Sequence, residues 1–345
     1  MTIIMLNEKN KEDLWDSKMN RIIKNIFFVA IAVIFLASCQ KDKAVVLPNG
    51  INGNLVQLEM GSEYEYQFFV NLETKQTVYT SIINNWDLSF SSEANSSSVF
   101  INGGKAMAVY QTDETDFTKV NQSDTAGELK WNIDDLKTRT SVFGDCFGDA
   151  KLKDKIFIVK LKGVGKYRKI KFKSVSNFQY EILVGDINST EPVLIKIEKD
   201  PAKNFSYFSF DLLKQVQNIE PDKTTWDIQF TRYGEKFIDN NKPLLYVVTG
   251  VISNPYKTLA YKDSLNSYEN INESFLNQIT FNNSLTNIGH DWKFYDFNLN
   301  QFTIPQNYNY IVKDQKENYY RLRFLDFYND KGVKGSPQFE YTQIK

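Results

Sequence analysis

A single histidine, two cysteines and five methionines bound the chemistry open to these 345 residues. Any Ser-His-Asp or Cys-His relay would have to run through His290, and a zinc centre of several His and Cys ligands is excluded. Acidic side chains are plentiful. Asp87 and Asp227 are the natural carboxylate pair, because each follows a tryptophan in a near-identical motif. Their place inside a repeated strand pattern favours a structural hydrogen-bonding role. Gly163-Val164-Gly165 lacks the third glycine and the following helix of a dinucleotide fingerprint, so it reads as a hairpin turn. The stretch 113–149 is acidic but has no EF-hand spacing and reads as solvated loop. Cys146 reads as a small buried hydrophobe, not a nucleophile. With no nucleophile–base constellation, the chain is not expected to be an enzyme.

The elements that must position these residues are strands. Aromatic residues make up 14% of the chain and alanines are few, which argues against a helical bundle. Charge is balanced, 41 basic against 42 acidic, which excludes a strongly basic nucleic-acid binder. In Trp86-Asp87-Leu88-Ser89-Phe90 the apolar residues alternate with polar ones, and Trp226-Asp227-Ile228-Gln229-Phe230 repeats the alternation. Tyr320, Leu322 and Phe324 alternate with Arg321 and Arg323. Leu244–Val251 is nearly continuous and reads as a buried strand. Short helices are expected only within Gly127–Leu136 and Ser267–Gln278.

The chain also repeats itself. Gln67–Leu72 aligns with Tyr207–Leu212, and the two Trp-Asp motifs align at the same offset without a gap. Ile158-Val159-Lys160 then matches Ile311-Val312-Lys313, and Tyr167–Phe172 matches Tyr319–Phe324. Blocks in the same order predict two homologous units, 57–195 and 196–345. The expected fold is all-β: two antiparallel sandwich-like units in tandem after a signal peptide.

Ahead of them lies an address. Ile26–Leu36 is an unbroken apolar run of 11 residues, shorter than the about 20 that span a bilayer. Arg21 and Lys24 precede it and small residues follow, the order of a secretory signal covering 1–38, with Met19 as the natural start. Leu36-Ala37-Ser38-Cys39 resembles the bacterial lipobox, which implies cleavage before Cys39 and a lipid anchor there, palmitate among its acyl groups. Residues 39–56 form the linker. Within it, Gln40-Lys41-Asp42-Lys43 resembles the charged segment that carries Bacteroidetes lipoproteins to the cell surface. Outer-membrane, surface-exposed localisation follows.

The Trp226–Tyr233 block, the Trp86–Phe90 block leading to Asn102-Gly103-Gly104, and the closing Tyr319–Tyr328 resemble the HmuY-type lipoproteins of Bacteroidetes, as a tandem-duplicated member. That resemblance implies a non-catalytic surface protein that captures haem, or a related porphyrin, for a TonB-dependent receptor. The type protein ligates haem iron with two histidines, and only His290 exists here. Some relatives use methionines. The candidate axial ligands are therefore His290, Met107 and Met60, with Cys146 the remaining soft donor. Met107 draws interest because it follows the Asn-Gly-Gly turn. The alternative function is an accessory lipoprotein binding glycan or another outer-membrane protein through its aromatic faces, with a hydrolase ranked last.

Overall fold

A computed structural model describes residues 53–127, 130–163, 165–240 and 242–345. The signal segment, Cys39 and the charged stretch 40–43 lie outside the described residues, as does the linker to residue 52.

The alternating sequences form strands that pair antiparallel in four main sheets. Sheet I runs, in spatial order, Lys214–Val216, Phe205–Ser209, Leu88–Ser91 and Val99–Ile101. Sheet II runs Val193–Glu198, Gln179–Asp186, Tyr167–Val175, Ile156–Lys160 and Ala108–Gln111. Sheet III runs Lys242–Ser253, Ile228–Asp239, Tyr66–Asn71 and Gln76–Ile82. Sheet IV runs Asn54–Gln57, Lys334–Ile344, Tyr319–Tyr328, Asn309–Lys313 and Leu259–Asp263. A short hairpin joins Phe294–Asp296 to Gln301–Thr303.

Two apolar cores result. Sheets I and II close the first around Phe90, Ile158, Phe172, Tyr180 and Phe208, with Phe90 and Tyr180 5.1 Å apart. Sheets III and IV close the second around Val70, Ile228, Phe324 and Phe339, where Phe230 stacks on Phe339 at 5.1 Å. Each buried Phe contributes about 1.5–3 kcal/mol by leaving water. Tyr320, Leu322 and Phe324 enter this second core. Arg321 and Arg323 face away from it, lie over the Tyr268 ring, and Arg323 pairs with Glu340 at 2.5 Å.

Both cores cross the middle of the chain. Tyr66–Asn71 pairs with Ile228–Asp239, placing Val70 opposite Ile228. Phe205–Ser209 pairs with Leu88–Ser91, placing Phe208 opposite Leu88. Each half thus lends a strand to the sheet that carries the other half's Trp-Asp motif.

The two motifs hold those lent strands identically. Asp87 N donates to Phe208 O at 2.8 Å while its Oδ2 accepts from Phe210 N at 2.7 Å. Asp227 N donates to Val70 O at 2.8 Å while its Oδ2 accepts from Leu72 N at 2.8 Å. Asn102 N donates to Asp87 O, and its Nδ2 bridges Ile83 O and Trp86 O at 2.6 and 3.0 Å. Asn254 N donates to Asp227 O, and its Nδ2 bridges Lys223 O and Trp226 O, both at 2.7 Å. The carboxylates are structural, as their motif suggested. Phe208 and Phe210 stand where Val70 and Leu72 stand, so the gapless alignment of the first strands is two residues out of step.

Two local expectations change and a third holds. Leu244 and Tyr246 are exposed, because the hairpin Ile228–Ser253 runs out past the end of its neighbours and only Val248–Val251 is covered. Around Gly127–Leu136 the described residues form no helix; Asn132 bridges to Val109 and Asp135 to Thr140. Ser267–Gln278 does hold short helical turns, Tyr268–Asn270 and Glu273–Leu276.

Replacing Asn102 by Ala strips the Ile83 and Trp86 carbonyls of their side-chain donor, whereas the Lys223 and Trp226 carbonyls bonded by Asn254 also accept from Gln315 Nε2 at 2.9 and 2.7 Å. Asn102→Ala is expected to lose roughly 1–3 kcal/mol of stability and Asn254→Ala less, because Gln315 still serves its carbonyls, both read as a lower urea midpoint at unchanged m value. Unmoved midpoints would show that the clamps do not hold the exchanged strands.

Candidate functional site

Side chains of sheets I and III that turn from their own cores face one another. Ser89, Phe205 and Tyr207 point from sheet I; Gln67, Gln229, Thr231 and Tyr233 point from sheet III. Between them lies a cleft of about 110 Å³ that also contains Trp86, Trp226 and Glu220 in its walls. The indoles are fixed edge-on, Trp86 against Tyr207 and Trp226 against Phe69, both at 5.0 Å. Neither indole N–H has a nitrogen or oxygen acceptor. Because this face is covered, Asp87 and Ser89 are buried despite pointing away from the first core.

The cleft walls hold two buried carboxyls. Glu220 accepts from Phe205 N at 2.8 Å and is further bonded to Asn204 and Tyr207. Asp134 accepts from Ile101 N and Val142 N, both at 2.7 Å. Burial pushes each carboxyl up to about 7 against those hydrogen bonds. The clamp carboxylates differ: Asp87 is paired with Lys105 at 2.5 Å, whereas Asp227 is pushed up to about 6 by burial, with Asp314 and Glu73 adding to the effect.

At the Tyr233 end the cleft meets a second feature. Tyr233 Oη lies 3.3 Å from His290 Nδ1, and the Phe237 ring stands edge-on to the imidazole at 5.8 Å. Tyr246 contacts Phe237 at 6.2 Å. Phe237 is 39% and Tyr246 58% exposed, so this aromatic face of the long hairpin is open to solvent. Burial holds the His290 imidazole below its ordinary value, with Lys293 and Lys262 adding to the shift and Asp291 opposing it. The ring is therefore neutral at pH 7 and has a nitrogen lone pair to offer.

The HmuY protein family model matches residues 63–149 and 202–341. The chain belongs to the HmuY family. Among solved structures it is similar to a chain described as a HmuY-like heme binding protein from Bacteroides vulgatus, at 10% identity over 86% of this chain and 95% of that one, TM-score 0.23. It is also similar to the apo HmuY analogue of Tannerella forsythia, at 13% identity over 84% and 95%, TM-score 0.24. A Bacteroides fragilis chain described as a lipoprotein matches at 14% identity over 52% and 90%, TM-score 0.21. No curated protein matches.

In this HmuY-family chain the expected ligands are far from equivalent. Met107 is 1% exposed inside the first core and Met60 is fully buried inside the second. Cys146 is buried and burial pushes its thiol up. His290 alone of the four is partly exposed. The structure brings none of the sulfur donors to it. The Asn-Gly-Gly turn has a packing cause: a Cβ on Gly103 would lie 2.4 Å from Gly234 N, and one on Gly104 would lie 2.6 Å from Arg232 O. The turn is where two backbones touch. Among the described residues no group of three or more His, Cys, Asp and Glu gathers as a metal site, the acidic stretch included.

Sequence reasoning missed Glu220, Asp134 and Tyr233. Nothing local marks Glu220, whose carboxyl matters only because Phe205 and Tyr207 fold over it.

Glu220 gives a testable pH dependence. Burial holds its folded value above the ordinary 4.5, so burial of the charged form costs nothing below about pH 4.5 and the cost grows as pH rises through 7. Glu220→Gln keeps an acceptor for Phe205 N and removes the ionisation. The parent is expected to lose roughly 2–3 kcal/mol more stability than the variant between pH 4.5 and 8, measured by urea unfolding. Parallel pH profiles would remove Glu220 as the cause.

Proposed function

We propose that the chain is a non-catalytic haem-binding surface lipoprotein, anchored in the outer membrane through lipid on Cys39, that passes haem or a related porphyrin to a TonB-dependent receptor. The observation that carries this reading is the HmuY family match over both halves of the chain. The docking face proposed for the macrocycle is the open aromatic patch of Phe237 and Tyr246 beside His290. The cleft between sheets I and III holds several waters' worth of space, not a porphyrin.

His290 is the proposed axial ligand. In the tautomer whose Nδ1–H donates to Tyr233 Oη, the Nε2 lone pair is free for iron, and the contact holds the ring's orientation. The group itself would supply only a coordination site and a flat apolar surface. Met107 and Met60 serve as ligands only if a core opens.

Haemin titrated into the purified full chain is expected to give a saturable Soret shift. His290→Ala is expected to weaken binding at least about tenfold, the effect of losing one such bond. Met107→Leu and Met60→Leu, which conserve volume, are expected to leave the band in place. A Soret band unchanged in His290→Ala would remove the histidine, and its loss in Met107→Leu would restore the methionine.

The anchor is tested separately. Cys39→Ser is expected to abolish incorporation of an alkyne-labelled palmitate and to move the protein from the detergent to the aqueous phase. Persistent label would place the lipid elsewhere.

A further inference from the structure

The cleft between sheets I and III does not end at its apolar walls. A second cavity of about 220 Å³ shares Phe100, Phe205, Pro255 and Leu285 with it, so the two form one groove. Their chemistry differs along its length. The inner part presents the aromatic rings of Trp86, Trp226 and Tyr207. The outer part is lined by Arg139, Lys203 and Lys223 together with serines and one acid, Glu93.

The charges at this mouth are unevenly satisfied. Lys203 is paired with Asp222 at 2.6 Å. Lys223 Nζ lies 5.2 Å above the Tyr256 ring and Arg139 has no ion pair among the described residues. With Glu93 counted against them, one positive charge is left over. Inside the cleft, the lining atoms that lack a hydrogen-bond partner are Trp86 Nε1, Trp226 Nε1 and Arg232 Nε, all of them donors. For a ligand that enters from solvent, the groove therefore offers a mostly apolar slot and one surplus cation at its opening.

We propose that this groove binds an amphipathic monocarboxylate, its apolar body between Trp86 and Trp226 and its carboxylate at the mouth on Arg139 and Lys223. Charge complementarity selects the class: a neutral apolar molecule leaves the cations unpaired, and a polyanion meets Glu93 and Asp222. The neutral tendency of Glu220 and Asp134 keeps the slot from repelling an acid. The site adjoins the His290 face only through Tyr233 and does not depend on haem binding.

The probes are decanoate and decanol, added to the purified full chain and followed by tryptophan fluorescence and calorimetry, since Trp86 and Trp226 wall the slot. Decanoate is expected to bind saturably and at least about tenfold more tightly than decanol. The double variant Arg139→Ala/Lys223→Ala removes one exposed and one half-buried mouth side chain and leaves Tyr233 and His290 in place; it is expected to erase that preference while the haemin Soret titration stays as in the parent. Equal binding of the two probes, absence of saturable decanoate binding, or a preference that survives the double variant would overturn the proposal. A failed haemin titration with intact decanoate selectivity would sink the haem reading and leave this one standing.

Discussion

A buried carboxylate that accepts from the main chain of a strand belonging to the opposite half is the constraint on which the fold depends. Asp87 catches Phe210 N and Asp227 catches Leu72 N. Each aspartate also donates its own amide to that strand, and an asparagine closes the loop behind it. Removing such an acceptor would leave a buried N–H unpaired, at a cost of about 1–3 kcal/mol. The clamps decide which strand sits beside which, and through that the position of both cores and of everything between sheets I and III.

The asymmetry between the two clamps is informative. Lys105 neutralises Asp87, and the Gly103-Gly104 backbone can bring that lysine close because neither residue carries a side chain. Among the described residues Asp227 forms no such ion pair, the Lys316 charge acts on it only as a minor influence, and its carboxyl is pushed toward neutrality by burial. The first clamp is an ion pair and the second works mainly through hydrogen bonds. Repeated geometry has been kept while the electrostatics around it drifted.

Much of this was legible beforehand. Period-two alternation located the strands at Leu88–Ser91, Ile228–Asp239 and Tyr319–Tyr328, and the paired Trp-Asp motifs announced a repeated structural device. The structural role of the aspartates followed from that repetition. Alternation states which face is apolar but not which strand lies alongside, so the exchange of Tyr66–Asn71 and Phe205–Ser209 was invisible. The cleft was hidden for the same reason: its walls come from segments more than a hundred residues apart. Leu244–Val251 looked buried because an apolar run reads alike whether it is covered or lies on a projecting hairpin. His290 was visible as the one imidazole, but its value rests on Tyr233 and Phe237, which no local pattern tied to it.

The pairing of Asn54–Gln57 with Lys334–Ile344 carries a consequence for how the protein is made. The first strand among the described residues finds its neighbour only when Gln338–Tyr341 has been synthesised. Contacts of such sequence separation are formed slowly. While they are awaited, the aromatic strands lie uncovered and prone to stick to one another. The sheet that closes the second core is complete only once Lys334–Ile344 lies between Asn54–Gln57 and Tyr319–Tyr328.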